Sequence, residues 1–278
     1  MPGRPNQAEA LVLDYLKTKD DPVLDLELDA PALTERAAAA GLASFSLRGT
    51  VDRLKAKGHL HLLQRGRYLA RERASESPRL WSLDPVAEAV LRRLKIDYYV
   101  SWHAALWHYN LIDQQSRTVS VAVRQRKRPV SIAAQRVRFV LVSERKFFGH
   151  ELVEDFEWPV QMATMSRAII DGFDRPDLVG PPAVVVEALR RAVTVEQLAP
   201  EQLVADAKRL NSPTLNRRLG FFMDLLGIPG TDELALRVGR GYAEALFPGY
   251  EPSTKLDVDQ RWRVYLDPAI IGTALELK

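Results

Sequence analysis

A short basic helix has the clearest chemical capability in the sequence. Leu47, Val51 and Leu54 recur at the spacing of a buried helix face, so the intervening residues, Asp52 included, point outward. Arginine and serine side chains on such a helix can hydrogen-bond to base edges in the major groove of DNA. The alternative is an amphipathic helix whose basic face is merely solvated. The residues of this stretch that we expect to contact DNA are Ser44, Ser46, Arg48, Arg53 and Lys57.

A basic hairpin follows this helix. Residues 60–62 and 67–69 are two short apolar-rich runs, and the turn between them contains Gly66, which is typical of a β-hairpin. Arg65 and Arg67 lie at its tip. We expect them to contact the phosphate backbone, which adds affinity without recognising sequence.

A second cluster of positive charge lies in the middle of the chain. It consists of Arg124, Arg126, Lys127 and Arg128. Alternating valines before it and after it predict two strands, which would place these charges in a hairpin loop. One interpretation is a second nucleic-acid contact. The other is a solvated loop kept soluble by its charge, and the sequence leaves both open.

No catalytic set emerges from the remaining polar residues, so we predict a protein that is not an enzyme and has no metal or other cofactor. His59 and His61 share a strand face but lack a third metal ligand nearby. Ser101 and His103 are neighbours in sequence, which is not the geometry of a catalytic triad. The acidic residues Glu154, Asp155 and Glu157 lack the flanking residues of a nuclease site. The glycines Gly239 and Gly241 lack the flanking residues of a phosphate-binding loop.

The elements that position the basic helix can be predicted in order. Residues 8–17 have a helical pattern, and a second helix begins near Pro31. A glycine turn at residues 41–43 follows, with Ser44 as the expected cap of the third helix and Gly58 as its end. Two helices, a tight glycine turn, a third helix and a hairpin are the layout of a winged helix-turn-helix.

The rest of the chain predicts a mixed α/β domain. A polar stretch with two prolines, residues 72–85, is typical of a connector, so we predict domains at residues 1–75 and 84–278 and an α+β fold class. Strand-like runs occur at residues 118–123, 137–142 and 261–266. Helical patterns occur at residues 102–109, 166–173, 183–192, 200–210, 214–226 and 232–245.

The composition further restricts the classes of protein to which this chain can belong. The 278 residues are 46% hydrophobic and 27% charged, which is ordinary for a globular protein, with no apolar run long enough to span a membrane. There is no cysteine and no secretory signal, so we expect a cytoplasmic protein without membrane partners. Residues 1–40 contain four basic and eight acidic side chains, whereas residues 41–73 contain eight basic and two acidic ones. This change of sign favours one electropositive face.

Four stretches of the sequence together match the pattern of one protein family. Residues 58–69 are Gly-His-Leu-His-Leu-Leu-Gln-Arg-Gly-Arg-Tyr-Leu, and residues 98–111 hold a tyrosine pair, a serine, Ala-Leu and an aromatic helix. Residues 167–171 precede Asp-Arg-Pro at 174–176 and Gly180, and residues 216–220 are Asn-Arg-Arg-Leu-Gly. In order and spacing these stretches resemble the AbiEi family of antitoxins and related transcriptional regulators of viral defence systems. Asn110 departs from that pattern, since the family commonly has glycine there.

The resemblance implies an N-terminal winged helix that binds operator DNA, often as inverted repeats, and a C-terminal domain needed for antitoxicity. It also implies a neighbouring gene for a nucleotidyltransferase-like toxin. We therefore expect a DNA-binding transcriptional regulator, the antitoxin and autorepressor of a type IV toxin–antitoxin module for abortive infection. Two alternatives are a nuclease-like enzyme, and a protein-binding antitoxin whose helices from Pro200 onward cover the toxin.

Overall fold

The described parts of the chain contain both helices and sheets, which confirms the α+β class. The computed structural model describes residues 4–19, 23–64, 66–70, 87, 90–132, 135–154, 156, 159–239, 241–248 and 256–276. The chain divides into two units. The first comprises Met1–Lys95, Arg128–Arg138 and Asp155–Trp158, and the second comprises Ile96–Lys127, Phe139–Glu154 and Pro159–Lys278. The predicted connector at residues 72–85 lies outside the described residues.

Within the described residues up to Ala70, the first unit forms three helices and a small antiparallel sheet. Its elements are α1 (Gln7–Thr18), β1 (Val23–Asp25), α2 (Ala30–Ala39), α3 (Leu47–Ala56), β2 (Leu60–Gln64) and β3 (Arg67–Ala70). The strand order is β1-β3-β2, with Leu24 opposite Tyr68 and Leu62 opposite the same tyrosine from the other side. The three predicted helices and the hairpin are confirmed, whereas β1 was not predicted.

One hydrophobic core holds these elements together. Each helix contributes one apolar face, and the sheet contributes alternate side chains. Burying one such side chain stabilises the fold by about 1.5–3 kcal/mol, so this shared core fixes the orientation of α3. The core residues are Val12, Leu16, Leu24, Leu33, Val51, Leu54, Leu60, Tyr68 and Ala70.

Glycine ends two of the three helices. Gly41 and Gly58 have φ of +71° and +76°, the left-handed region that favours glycine. The backbone N–H of the next residue then bonds back into the helix, from Leu42 to the Ala37 carbonyl at 2.9 Å and from His59 to the Leu54 carbonyl at 2.8 Å. The glycine turn predicted before α3 is therefore present.

A second, six-stranded sheet has the order β6-β7-β5-β4-β9-β8. The strands β4 and β9 pair in parallel, while β4–β5, β6–β7 and β8–β9 are antiparallel. The six strands are β4 (Tyr98–Ser101), β5 (Thr118–Val123), β6 (Val130–Ile132), β7 (Gln135–Leu141), β8 (His150–Val153) and β9 (Val160–Ala163).

Helices make up most of the remaining chain. They are α4 (His103–His108), α5 (Met165–Asp174), α6 (Pro182–Thr194), α7 (Pro200–Leu210), α8 (Pro213–Leu225), α9 (Asp232–Ala235) and α10 (Pro268–Glu276), with a separate pair of strands β10 (Val258–Asp259) and β11 (Val264–Tyr265). The helix predicted over residues 232–245 is wrong beyond Ala235, and Gly239 downstream adopts φ of +76°. No helix among the described residues has the length and apolarity needed to cross a membrane.

Candidate nucleic-acid interface

The N-cap of α3 lies two residues after the serine that the sequence predicts as the cap. Ser46, not Ser44, is the N-cap, and its hydroxyl accepts the Gly49 backbone N–H at 3.3 Å. The prediction of Ser44 as the cap is therefore wrong, since Phe45 and Ser46 extend the turn before α3 and residues 47–56 form the helix. Thr50, Val51 and Leu54 are buried, which turns the opposite face of α3 to solvent.

Only one of the predicted cations on α3 is unpaired. Arg48 is exposed and has no hydrogen bond or ion pair with any described residue. Ser44 and Ser46 are also exposed near the start of the helix. These three side chains lie at the surface, and the Ser46 hydroxyl also caps α3.

Arg53 and Lys57 are held by a carboxylate from another helix. Glu9 of α1 is fully buried and lies 3.3 Å from Arg53 Nε and 2.6 Å from Lys57 Nζ. Arg53 also donates a 3.0 Å hydrogen bond to Thr50 Oγ1. Half of the Arg53 side chain is exposed and about a third of Lys57, so both cations reach the surface with part of their charge neutralised.

Glu9 is fixed on both sides. It forms a capping box with Asn6, whose side chain accepts the Glu9 N–H at 2.9 Å while the Asn6 N–H donates to the Glu9 carboxylate at 2.9 Å. Burial raises the pKa of Glu9, but hydrogen bonds from Lys57 and the Asn6 backbone outweigh it. The charges of Lys57 and Arg53 act in the same direction, and the pKa lies below its ordinary value.

The hairpin presents less free charge than its sequence indicates. Arg67 lies at the start of β3 and forms an ion pair with buried Asp25 at 2.7 Å, and Arg93 lies 3.7 Å from the same carboxylate. Burial raises the pKa of Asp25, but the hydrogen bond from Arg67, two backbone N–H groups and the Arg67 charge bring it below its ordinary value. Arg65, the other predicted tip residue, lies outside the described residues.

Sequence reasoning missed one side chain on the exposed face of α3. Lys55 is exposed and seven residues after Arg48, so both lie on the same side of the helix, two turns apart. Asp52, which the sequence predicts to point outward, is exposed between them. Neither residue has a partner among the described residues. The heptad spacing of Arg48 and Lys55 was the available signal for Lys55.

The second basic cluster follows β5, in the loop that leads to β6. Arg124 is neutralised because it pairs with Glu144 at 2.7 Å and with Asp97, and its guanidinium lies 5.0 Å from the Phe147 ring. Arg126, Lys127 and Arg128 are exposed and have no partner in the described part of the chain. The loop therefore has three free cations rather than four.

The structure describes some of the remaining candidates from the sequence, and Ser101 and His103 are among them. The Ser101 hydroxyl donates to Asp171 at 2.7 Å, and burial lowers the pKa of His103. Glu154 is exposed, while Asp155, Glu157 and Arg240 lie outside the described residues. Within the described ranges, no group of three or more His, Asp or Glu side chains is placed to hold a metal ion.

A buried polar network lies in the second unit. Arg167 on α5 is 1% exposed and donates to Asp171 at 2.7 Å and to the Tyr99 hydroxyl at 3.0 Å. Its guanidinium also lies 4.4 Å from the Phe148 ring. Burial raises the pKa of Tyr99. These contacts tie α5 to β4 at the centre of the unit.

The fold resembles that of a solved structure. No protein-family model matches the chain, and no curated protein matches it. The crystal structure of the RV2827C protein from Mycobacterium tuberculosis is similar, with a TM-score of 0.65 and 14% sequence identity. The match covers 98% of this chain and 95% of the other. The two proteins therefore share a fold over nearly their whole lengths.

Proposed function

We propose that this protein is a sequence-specific DNA-binding transcriptional regulator whose first unit is a winged helix-turn-helix domain. The order α1-β1-α2-α3-β2-β3 and the sheet order β1-β3-β2 support this assignment. In this arrangement α3 is the recognition helix and the β2–β3 hairpin is the wing.

The observation that carries the proposal is the exposed face of α3. Its opposite side is locked into the core, and its solvent side presents Arg48 and Lys55 without internal partners. Arg53 adds a half-exposed guanidinium on the other side of the helix. A rigid helix with free cations along its outer side suits the major groove, where arginine recognises guanine and lysine contacts phosphate.

The resemblance to the AbiEi family extends the proposal to a biological role. In that role the protein represses its own promoter and acts as the antitoxin of a type IV toxin–antitoxin module, with a nucleotidyltransferase-like toxin as its functional partner. An operator with inverted repeats would engage two recognition helices, from a dimer or from two adjacent monomers. Repression of a reporter fused to the protein's own upstream DNA tests this role, and an unchanged reporter would count against it.

DNA binding itself is tested by titrating labelled upstream duplex with the purified protein at several salt concentrations. We expect log K to fall linearly with log salt, because each neutralised phosphate releases counterions.

Arg48→Ala should weaken specific binding by about 1–3 kcal/mol if it contacts a base. Lys55→Ala should lower the salt slope by roughly 0.9. Arg237→Ala, an exposed arginine of the second unit, is the control and should change neither.

The loop after β5 is tested in the same assay. Replacing Arg126, Lys127 and Arg128 together by alanine should lower the salt slope by up to about 2.7 if all three contact phosphate. An unchanged slope would assign them to a solvated loop. Failure of the unmodified protein to bind any duplex, or binding that ignores salt, would overturn the proposed function.

A further inference from the structure

The centre of the exposed face of α3 is not basic. Gly49, Asp52 and Ala56 are spaced by three and four residues, so they form one line along the helix, on the side away from Val51 and Leu54. Arg48 and Lys55 lie on one side of this line and Arg53 on the other. The line thus contains a single carboxylate between two residues with little or no side chain.

That carboxylate is free. Asp52 is exposed and has no hydrogen bond or ion pair with any described residue, although Arg48 precedes it by four residues, a spacing that permits an ion pair. The neighbouring Arg53 instead contacts Glu9 and Thr50. A surface that only attracted phosphate would gain nothing from an unpaired negative charge at its centre, because such a charge repels the DNA backbone.

The unpaired carboxylate of Asp52 is suited to recognising a base. The major-groove edge of cytosine presents the N4 amino group, a donor that aspartate accepts, whereas guanine presents two acceptors that repel a carboxylate. The short side chains of Gly49 and Ala56 let the helix backbone approach the base edges, so that a short aspartate can reach them. Lys55 on one side of this line and Arg53 on the other are then placed to contact the two sugar–phosphate backbones, which leaves Arg48 for a base beside the cytosine.

We propose that Asp52 is a specificity-determining residue that recognises a cytosine through its N4 amino group. This inference rests on the proposed function, because it assigns a base contact to the recognition helix.

The test begins with selection of preferred sites from a randomised duplex library, using the full-length protein and Asp52→Asn in parallel. We expect the unmodified protein to require cytosine at one position of its site. Asparagine pairs with adenine N6 and N7, so Asp52→Asn should change the preference at that position from cytosine to adenine and leave the other positions unchanged. Losing the contact should cost the unmodified protein about 5- to 150-fold in affinity when that cytosine is replaced.

Two further variants make the result decisive. Asp52→Ala should bind duplexes with and without the cytosine equally, since it has no acceptor. Asp14→Asn removes the same charge from an exposed site on α1, where the side chain is 73% exposed, and should keep the cytosine requirement. If Asp52→Asn and Asp52→Ala keep the original preference and bind all duplexes more tightly, Asp52 is only a repulsive surface charge and the inference is wrong. DNA binding would then still stand, whereas no binding by the unmodified protein would overturn both proposals.

Discussion

The buried carboxylates of the first unit decide which of its cations face solvent. Glu9 holds Arg53 and Lys57, and Asp25 holds Arg67. Asp29 holds Lys19 at 2.6 Å and accepts the Tyr15 hydroxyl at 2.9 Å. The charges of these three carboxylates are therefore neutralised inside the unit. The electropositive face that the charge pattern predicts is reduced by these internal pairs.

Glu9 should make stability depend on pH. The variant Glu9→Gln keeps the shape of the side chain but loses the charge that Lys57 and Arg53 face, and we expect the free energy of unfolding at pH 7 to fall by about 1–2 kcal/mol. The pKa of Glu9 is lowered in the native state, so its contribution is complete above the unfolded value of about 4.3. It is lost as the pH falls through the native pKa. Urea unfolding of both proteins across this range measures the effect.

The exposed glutamate Glu35 of α2 provides the matched control. Glu35→Gln should unfold like the unmodified protein at every pH. The stability gap between Glu9→Gln and the unmodified protein should narrow as the pH falls below the unfolded value of about 4.3 and Glu9 takes up a proton. A gap that stays unchanged as the pH falls would mean that the charge of Glu9 contributes nothing to stability.

At the scale of elements, the sequence predicts those features that depend on interactions between residues close together in the chain. The apolar spacing of α3 and the glycines that end helices each act within a few residues, and both were recognised. Asn110 has φ of +57°, a conformation that asparagine tolerates, which explains how it can occupy a position where the resembling family commonly has glycine. Two features depend on distant partners instead. The three-residue strand β1 exists because it pairs with β3, and the Glu9–Lys57 ion pair spans 48 residues. No local pattern contains that information.

The packing of α8 against the segment before β11 depends on one glycine. A Cβ on Gly220 would lie 2.0 Å from Cζ3 of Trp262, a buried ring whose indole N–H donates to Asp224 at 2.7 Å. Gly220→Ala should therefore lower stability, since overpacking costs about 1–3 kcal/mol or more, whereas the helix propensity of alanine returns only about 1 kcal/mol. Thermal unfolding followed by circular dichroism measures the loss.

Gly272 in α10 is the control for this substitution, because no heavy atom outside its own helix lies within 4 Å of a Cβ built there. Gly272→Ala should be neutral or stabilising by about 0.5–1 kcal/mol. If Gly220→Ala is also stabilising, the ring of Trp262 moves aside at no cost and the close approach does not constrain α8.

At the scale of the whole molecule, the first unit includes residues beyond the polar connector. Ala87 and Leu91 are buried, at 1% and 2% exposure. Arg93 donates to the Val23 carbonyl of β1 at 3.4 Å and lies 3.7 Å from Asp25. The Arg93 contacts connect the chain after the connector to the strand that completes the β1-β3-β2 sheet. A fragment that ends at residue 75 lacks all of them.

Two fragments separate the contribution of these residues. A fragment of residues 1–95 should unfold at higher urea concentration than a fragment of residues 1–75, because it retains the burial of Leu91 and the contacts of Arg93 with β1. In the longer fragment Leu91→Ala should remove about 2–5 kcal/mol, as expected for a buried leucine, while Leu28→Ala, at a side chain that is 74% exposed, should change little. Equal urea midpoints for the two fragments would show that residues 76–95 add no stability to the first unit.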